Sequence, residues 1–352
     1  MLPVLDINDA SLGLWQDDSL ALSSPGYALL EGKDYHFGLA AREKARLLPR
    51  QINHRYWAQL DTEPMVPAFG PSRHSADLVH AHLLSIHEGG GRPDNVIIAA
   101  PGSLQLNQLS LLLGIAEQCP FSVTGLVDRA VAACAGHPVA DYNWHVELQL
   151  NQALLTGMRL ENGQLVRDNL VPIPGSGWLA LQDALARAIA DAFIRQTRFD
   201  PRRSASNEQS LYDALPGILE RLETASETNI DLDGRQARVE RVTLVAQCES
   251  HYERILRTVT AGDAAVFLGT TLQGLPELGQ RLPGATRCGV ADTISGIRQT
   301  SARYADPRTR MRRTTYSRYS AVRAPGRIPG MKPFWFLRLS ATSSVLKDTF
   351  SV

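Results

Sequence analysis

The side chains best suited to catalysis or metal binding do not form a known motif in this sequence. His80 and His82 lie two residues apart on a predicted helix, so they point to different faces and do not indicate a metal pair. We expect these two histidines, and the isolated His74 and His87, to be solvated or to cap helices. Ser103 follows Pro-Gly but lacks the Gly-x-Ser-x-Gly elbow of hydrolases. The cysteines are widely spaced, without a Cys-x-x-Cys pair, so buried free thiols are expected at Cys119, Cys134, Cys248 and Cys288.

Glycine-rich nucleotide motifs are also missing. The sequence has neither Gly-x-Gly-x-x-Gly nor Gly-x-x-x-x-Gly-Lys-Ser/Thr, so a Rossmann dinucleotide site and a P-loop are not indicated. The triple glycine at 89–91 follows a predicted helix rather than a strand. We interpret it as a flexible link from helix to strand.

The segment 94–136 couples a buried strand to a helix twice in succession. The apolar run 96–100 has the length of a strand and is stopped by Pro101-Gly102. After Ser103, apolar residues recur at spacings of three and four, which predicts a helix with one buried face. A short extended piece at 121–125 then leads into an alanine-rich helix over 126–135. The segment predicts half of an α/β fold.

Similar elements flank this segment on both sides. Before it, we expect a hairpin of strands at 3–7 and 12–15 and helices at 40–48 and 76–87. After it, the organisation restarts near 137–143, which predicts a boundary between a first lobe (1–140) and a second lobe (141–304). The elements predicted in the second lobe are a strand at 144–155, hairpins around Asn162-Gly163 and Asp233-Gly234, helices at 178–195, 208–225, 241–259 and 275–282, and a buried strand at 264–269.

Ala100-Pro101, an early Gln (Gln105 or Gln108) and the small-residue stretch 127–133 follow one another in this order. The order resembles the end of the first lobe in the superfamily of actin, sugar kinases and the seventy-kilodalton heat-shock chaperones, and the chaperone branch most of all. The resemblance covers residues 3–304. It implies an α/β protein with the two-lobed actin-like ATPase fold, in which each lobe is a ribonuclease H-like mixed sheet with flanking helices.

The resemblance implies a nucleotide site made of two glycine turns, each preceded by a carboxylate that orients water or Mg²⁺. At the first turn the family has Asp-x-Gly, and this sequence keeps Asp6 but has Asn8 in place of glycine. Asparagine tolerates positive φ, so the turn can form. Asp9, however, adds a negative charge where phosphate oxygens would lie.

The other implied site residues depart further from the family pattern. The second turn is Asp-x-Gly-Gly-Gly in the family, whereas this sequence has Glu147 followed by Leu148 and Gln149, without the glycines. The adenosine turn has a better counterpart in Gly269-Thr270-Thr271. Asp128 stands where an acidic residue is expected at the start of the last helix of the first lobe. The lysine that the chaperones use in hydrolysis has no counterpart in 49–60, and arginine does not replace it.

These departures favour a degenerate, chaperone-like pseudoenzyme that binds ATP with Mg²⁺ weakly or not at all and acts through an unknown protein partner. The alternative is an active ATPase or small-molecule kinase that binds phosphate through side chains such as Asn8, Gln149 and Thr270. Whether the protein is an enzyme therefore stays open at this stage.

Composition indicates a cytoplasmic protein without a membrane span or secretory signal. Net charge over the 352 residues is zero, but residues 306–352 carry ten Lys and Arg against two acidic residues. This basic tail (305–352) has no sustained periodicity, and we expect it to be poorly ordered. Nucleic acid is a candidate partner only through this tail.

Overall fold

The computed structural model describes residues 2–259, 264–282 and 284–304, which form a mixed α/β structure. The elements up to residue 134 are β1 (Val4–Asp6), β2 (Gly13–Gln16), β3 (Ser19–Ser23), β4 (Ala28–Glu31), β5 (Asp34–Phe37), α1 (Leu39–Arg42), β6 (Ile52–Asn53), β7 (Pro64–Phe69), β8 (Ser72–His74), α2 (Ser75–Gly89), β9 (Asn95–Ala100), α3 (Leu106–Ala116), β10 (Ser122–Asp128) and α4 (Arg129–Cys134). The later elements are β11 (Tyr142–Leu148), β12 (Gln152–Glu161), β13 (Gln164–Pro174), α5 (Trp178–Thr197), α6 (Ala205–Thr224), β14 (Glu227–Leu232), β15 (Arg235–Glu240), α7 (Arg241–Val259), β16 (Ala265–Gly269), α8 (Thr270–Gln273), β17 (Thr286–Cys288) and α9 (Val290–Tyr304).

Two five-stranded sheets share one topology. The first has the order β3-β2-β1-β9-β10 and the second the order β13-β12-β11-β16-β17. In both sheets the first three strands along the chain are antiparallel neighbours, and the last two run parallel to the central strand. The central strands β1 and β11 each carry a carboxylate near their carboxyl end, Asp6 and Glu147. Smaller sheets are formed by β5-β4-β6, β7-β8 and β14-β15.

The buried side chains form separate layers because neighbouring residues of a strand point to opposite faces. On β1, Leu5 packs into one core with α2 and α3, whereas Val4 packs into another. A large core lies between the second sheet and helices α5, α6 and α7. The layer that contains Val4 also holds α4, Phe267 of β16 and Ile294 of α9. This layer therefore joins the two sheets.

Helices α4 and α9 pack with very small residues between them. A Cβ built on Gly296 of α9 would fall onto the carbonyl oxygen of Ala132 in α4. The facing residues of α4 are alanines buried in the same layer. Close approach of the two helices therefore requires glycine at position 296.

Four sequence-based boundaries are wrong. One is the helix expected over 40–48, which ends at Arg42; the other three have identifiable reasons. The helix expected over 126–135 begins at Arg129, because Leu126 and Val127 pair with β9 and sheet pairing overrides the alanine-rich pattern. The strand expected over 144–155 is two strands, closed by the pair Leu148 and Ala153. The helix expected over 275–282 does not form, since Glu277 has φ of 63°, outside the right-handed helical region.

Three further expectations concern the tail, membrane spans and the division into lobes. The tail, 305–352, lies outside the described residues. Among the helices of the described ranges, none combines the length and the hydropathy that a bilayer span requires. The division into lobes at 140 remains a prediction.

The contact between α4 and α9 leads to a stability prediction. Gly296→Ala should lower the free energy of unfolding by about 2 kcal/mol, because the added methyl forces the helices apart. Gly217→Ala in α6 is the matched control: a Cβ there meets only a flexible arginine end at 3.6 Å, so it should stabilise by about 0.5–1 kcal/mol. Urea denaturation measures both. A Gly296→Ala protein as stable as the parent would contradict this packing.

Candidate functional site

A buried arginine joins the two carboxylates at the ends of the central strands. Arg129, the first residue of α4, donates through Nε to Asp6 Oδ1 at 2.6 Å and through Nη2 to Asp6 Oδ2 at 3.2 Å. Its Nη1 donates to Glu147 Oε2. The three residues, called the ion triad below, are 0 to 3% exposed. Such charge-assisted bonds fix both the position and the orientation of the guanidinium.

Burial and the neighbouring charges shift the pKa values of Arg129 and Glu147 in opposite directions. Burial raises the pKa of Glu147, and the nearby Arg129 only partly offsets this. Burial alone would lower the pKa of Arg129, but the charges of Asp6 and Glu147 outweigh burial and raise it. Arg129 therefore stays charged. Ionised, the triad has one positive charge between two negative ones.

The turn after β1, residues 7–12, is tied to the turn after β11, residues 149–151. Asn8 Nδ2 donates to the Leu148 carbonyl at 3.1 Å, and its Oδ1 accepts from the Ala10 amide at 3.0 Å. Asp9 Oδ1 accepts from the Leu150 amide at 2.7 Å. Asn8 thus binds the backbone at the end of β11, and Asp9 binds the backbone of the second turn.

Asp9 is the carboxylate of the two turns, and burial shifts its pKa strongly. Burial raises its pKa from 3.8 to about 7, and the negative charge of Glu147 adds to the rise. The amides of Leu150 and Ala10 stabilise the carboxylate and limit the shift. Asp9 consequently gains a proton near neutral pH while it holds the second turn.

Gln149 links the second turn to the segment that follows β9. Its Nε2 donates to Ser103 Oγ at 2.8 Å, and its Oε1 accepts from Gln152 Nε2 at 2.7 Å. Between these side chains and Asp9 lies a cavity of about 40 Å³. A space of this size holds about one water molecule, whereas pockets for nucleotide-sized ligands measure roughly 300–1,000 Å³.

The other sequence-predicted residues lie around this centre with different roles. Gly269, at the end of β16, packs so closely that a Cβ there would lie 3.2 Å from Glu147 Cβ. Thr270 is exposed and does not reach the triad, whereas Thr271 Oγ1 donates to the Leu148 carbonyl at 3.2 Å. Asp128 caps α4 through the Ala130 and Val131 amides and accepts from Arg167 Nη1 at 2.7 Å.

The structure brings Asp6, Asn8, Glu147, Gln149 and Gly269 together and leaves Thr270 outside. Sequence reasoning missed Arg129, although an arginine inside an alanine-rich buried segment is an unusual signal. It also missed Asp9 as the acceptor of the Leu150 amide.

His82 is buried, contrary to the expectation of a solvated or capping side chain, and His145 is buried as well. His82 accepts at Nδ1 from Trp57 Nε1 at 3.0 Å, so Nε2 carries the proton and donates to Ser24 Oγ at 2.7 Å. It therefore cannot act as a base for Ser24. His145 lies near Arg129, and burial together with this positive charge lowers its pKa to about 3. His74 does cap α2, as expected.

Within the described ranges, no group of three or more His, Cys, Asp and Glu side chains is placed to hold a metal ion. No protein-family model matches this sequence.

The ion triad leads to a second stability prediction. Arg129→Met should lower the free energy of unfolding at neutral pH by about 4 kcal/mol, because it leaves two buried carboxylates without a cation. The matched control is the triple variant Asp6→Asn/Arg129→Met/Glu147→Gln, which removes all three charges and should lose less. Urea denaturation measures the difference. If the single and triple variants lose the same amount, the charges of the triad do not determine stability.

Asp9 leads to a prediction of pH dependence. Its folded-state pKa of about 7 lies above the ordinary 3.8, so the folded state binds this proton more tightly. The resulting stabilisation is complete below pH 3.8 and is lost as the pH rises through about 7. Relative to Asp9→Asn, which does not titrate, the parent should therefore lose about 4 kcal/mol over this range. Chemical denaturation across the range measures this, and parallel curves for the two proteins would refute the assignment.

Proposed function

We propose that this protein has a two-lobed actin-like fold whose nucleotide site is degenerate, and that it acts by binding another protein. The shared strand order of the two sheets supports the fold, because each sheet has the order expected of a ribonuclease H-like lobe. The carboxylates expected to begin the two phosphate turns, Asp6 and Glu147, lie near the ends of the two central strands. A cytoplasmic location and an unknown protein partner are part of this proposal.

The ion triad is the observation that carries the proposal. In an active site of this kind the carboxylates would face Mg²⁺ or its water ligands. Here both carboxylates bind the guanidinium of Arg129, a permanent cation that cannot lose its proton. Binding Mg²⁺ at these oxygens would require displacement of Arg129 into an already packed layer.

The two turns give independent support. A phosphate-binding turn presents free backbone amides to the anion. The Leu150 amide is instead taken by the carboxyl group of Asp9, so it is not free to bind an anion. The adjacent cavity of about 40 Å³ does not fit a nucleoside triphosphate. The residues present therefore do not fit ATP with Mg²⁺ in this arrangement.

The expected outcome is that the purified full chain neither binds nor hydrolyses ATP. Equilibrium binding of a fluorescent ATP analogue with Mg²⁺ should show no saturation at physiological nucleotide concentration. Steady-state phosphate release should be no greater than that of Asp6→Ala, which serves as the control for contaminating activity.

Robust turnover that Asp6→Ala abolishes would overturn the proposal in favour of an active ATPase or small-molecule kinase. Saturable binding without turnover would show that the site is open to nucleotide. The predicted absence of catalysis would then still hold. Arg129→Ala separates these cases further, because nucleotide binding that appears only in this variant would identify Arg129 as the group that excludes the nucleotide.

A further inference from the structure

A loosely packed segment connects β5 to β6 in the first half of the chain. Residues 39–51, called the strap below, consist of α1, turns and one short 3₁₀ helix. Ala41 is the one buried residue of the strap, and the apolar side chains of Leu39 and Leu47 are 38% and 41% exposed. With so few buried contacts of its own, the strap depends on the elements beside it for its position.

The strap covers the contact that ties the two turns together. Beneath it lies a small apolar cluster, to which Ala41 of the strap and Leu150 of the second turn both belong. Leu150 is fully buried there, and its amide is the donor to Asp9 of the first turn. Ala45 and Leu48 of the strap pack against the same cluster. Movement of the strap would therefore expose Leu150 to water.

Arg46 fastens the strap to two helices of the second half of the chain. Its Nη2 donates to Asp183 Oδ1 of α5 at 2.7 Å, and its Cζ lies 3.7 Å from the centroid of the Tyr212 ring of α6. The Arg46 amide donates to Gln209 Oε1 at 2.8 Å, and Gln209 Nε2 donates to the Arg42 carbonyl at 3.3 Å. The Tyr212 hydroxyl also donates to Asp183 Oδ1. The side chain of Arg46 therefore contacts both α5 and α6.

The contacts between the strap and these helices lie near the surface. The side chains of Arg46 and Asp183 are 26% and 46% exposed, so water screens their ion pair. Among the described residues the cluster beneath the strap has four buried members, whereas the next larger cluster has sixteen. Detachment of the strap gives up a few polar contacts and part of one small cluster, whereas unfolding gives up every cluster. Detachment therefore costs less free energy than unfolding of the whole chain.

We propose that the strap is a conformational device that detaches from α5 and α6 while both halves of the chain stay folded, with Arg46 as its latch. Detachment uncovers Leu150 and frees its amide from Asp9. The proposal rests on the proposed function, because a protein partner that binds the uncovered surface would hold the strap in its detached state. Such a partner would thereby open the contact between the two turns.

Hydrogen exchange of the full chain, followed at single-residue resolution, tests this proposal. The amides of Arg46 and Leu150 donate across the contact to Gln209 and Asp9, so both exchange when the strap detaches. Arg46→Ala removes the side chain of the latch and should speed exchange of both amides about tenfold. Asp183→Asn weakens the same ion pair from the other side and should act in the same direction.

Two control variants separate detachment from other effects. Lys44→Ala is the matched control within the strap, because Lys44 Nζ pairs with Glu31 Oε1 of β4 at 2.9 Å, inside the first half of the chain. It should leave both exchange rates unchanged. Gly296→Ala weakens the contact between α4 and α9 and so favours unfolding. It should speed the amides that exchange only by unfolding, but not those of Arg46 and Leu150.

Three results would overturn the proposal. If Gly296→Ala speeds the Arg46 and Leu150 amides as much as the most protected amides, the strap opens only when the whole chain unfolds. If Lys44→Ala acts like Arg46→Ala, Arg46 is not the latch. If Arg46→Ala leaves the Leu150 amide unchanged, the strap does not control the contact between the turns.

These outcomes are separate from the test of the proposed function, because the exchange measurement involves neither nucleotide nor partner. Unchanged exchange in Arg46→Ala together with absent ATP turnover overturns the strap proposal alone. ATP turnover that Asp6→Ala abolishes overturns the proposed function whatever the exchange rates are.

Discussion

The guanidinium of Arg129 between the carboxylates of Asp6 and Glu147 is the interaction on which the rest of this structure depends. It connects the central strand of each sheet to the start of α4, so three elements that are distant in sequence share one buried charge centre. Removing one member of such a group costs far more than a surface ion pair, because the remaining charges lose their compensation in a poorly solvated interior. The position of the two turns follows from this contact.

The packing around the triad increases its strength. The alanines of α4 and Gly296 of α9 allow close helix contact, which excludes water from the layer between the sheets. Charge interactions are stronger where water is absent. The hydrogen bonds of Asn8 and Asp9 to the second turn then close the remaining side of the site. The small side chains of α4 and α9 and the hydrogen bonds of the two turns thus enclose the ion triad from different sides.

Local patterns in the sequence predicted most strands and helices but not the centre of the site. The hairpins at Asn162-Gly163 and Asp233-Gly234 formed as expected, because their turn residues determine the connection locally. The start of α4 was wrong because pairing of Val127 with Ala99 depends on a strand distant in sequence. The role of Arg129 was missed for the same reason, since its partners lie 123 and 18 residues away. Resemblance drew attention to the neighbouring Asp128, which caps the helix instead.

The ion triad also restricts how this sequence can change over evolutionary time. Replacing Arg129 alone leaves two buried negative charges, and replacing either carboxylate alone removes part of the compensation for a buried positive one. Each first step therefore passes through a less stable protein, even when the final combination of three neutral residues would be as stable as the present one. Positions 6, 129 and 147 should consequently vary together among descendants of this sequence or remain fixed together.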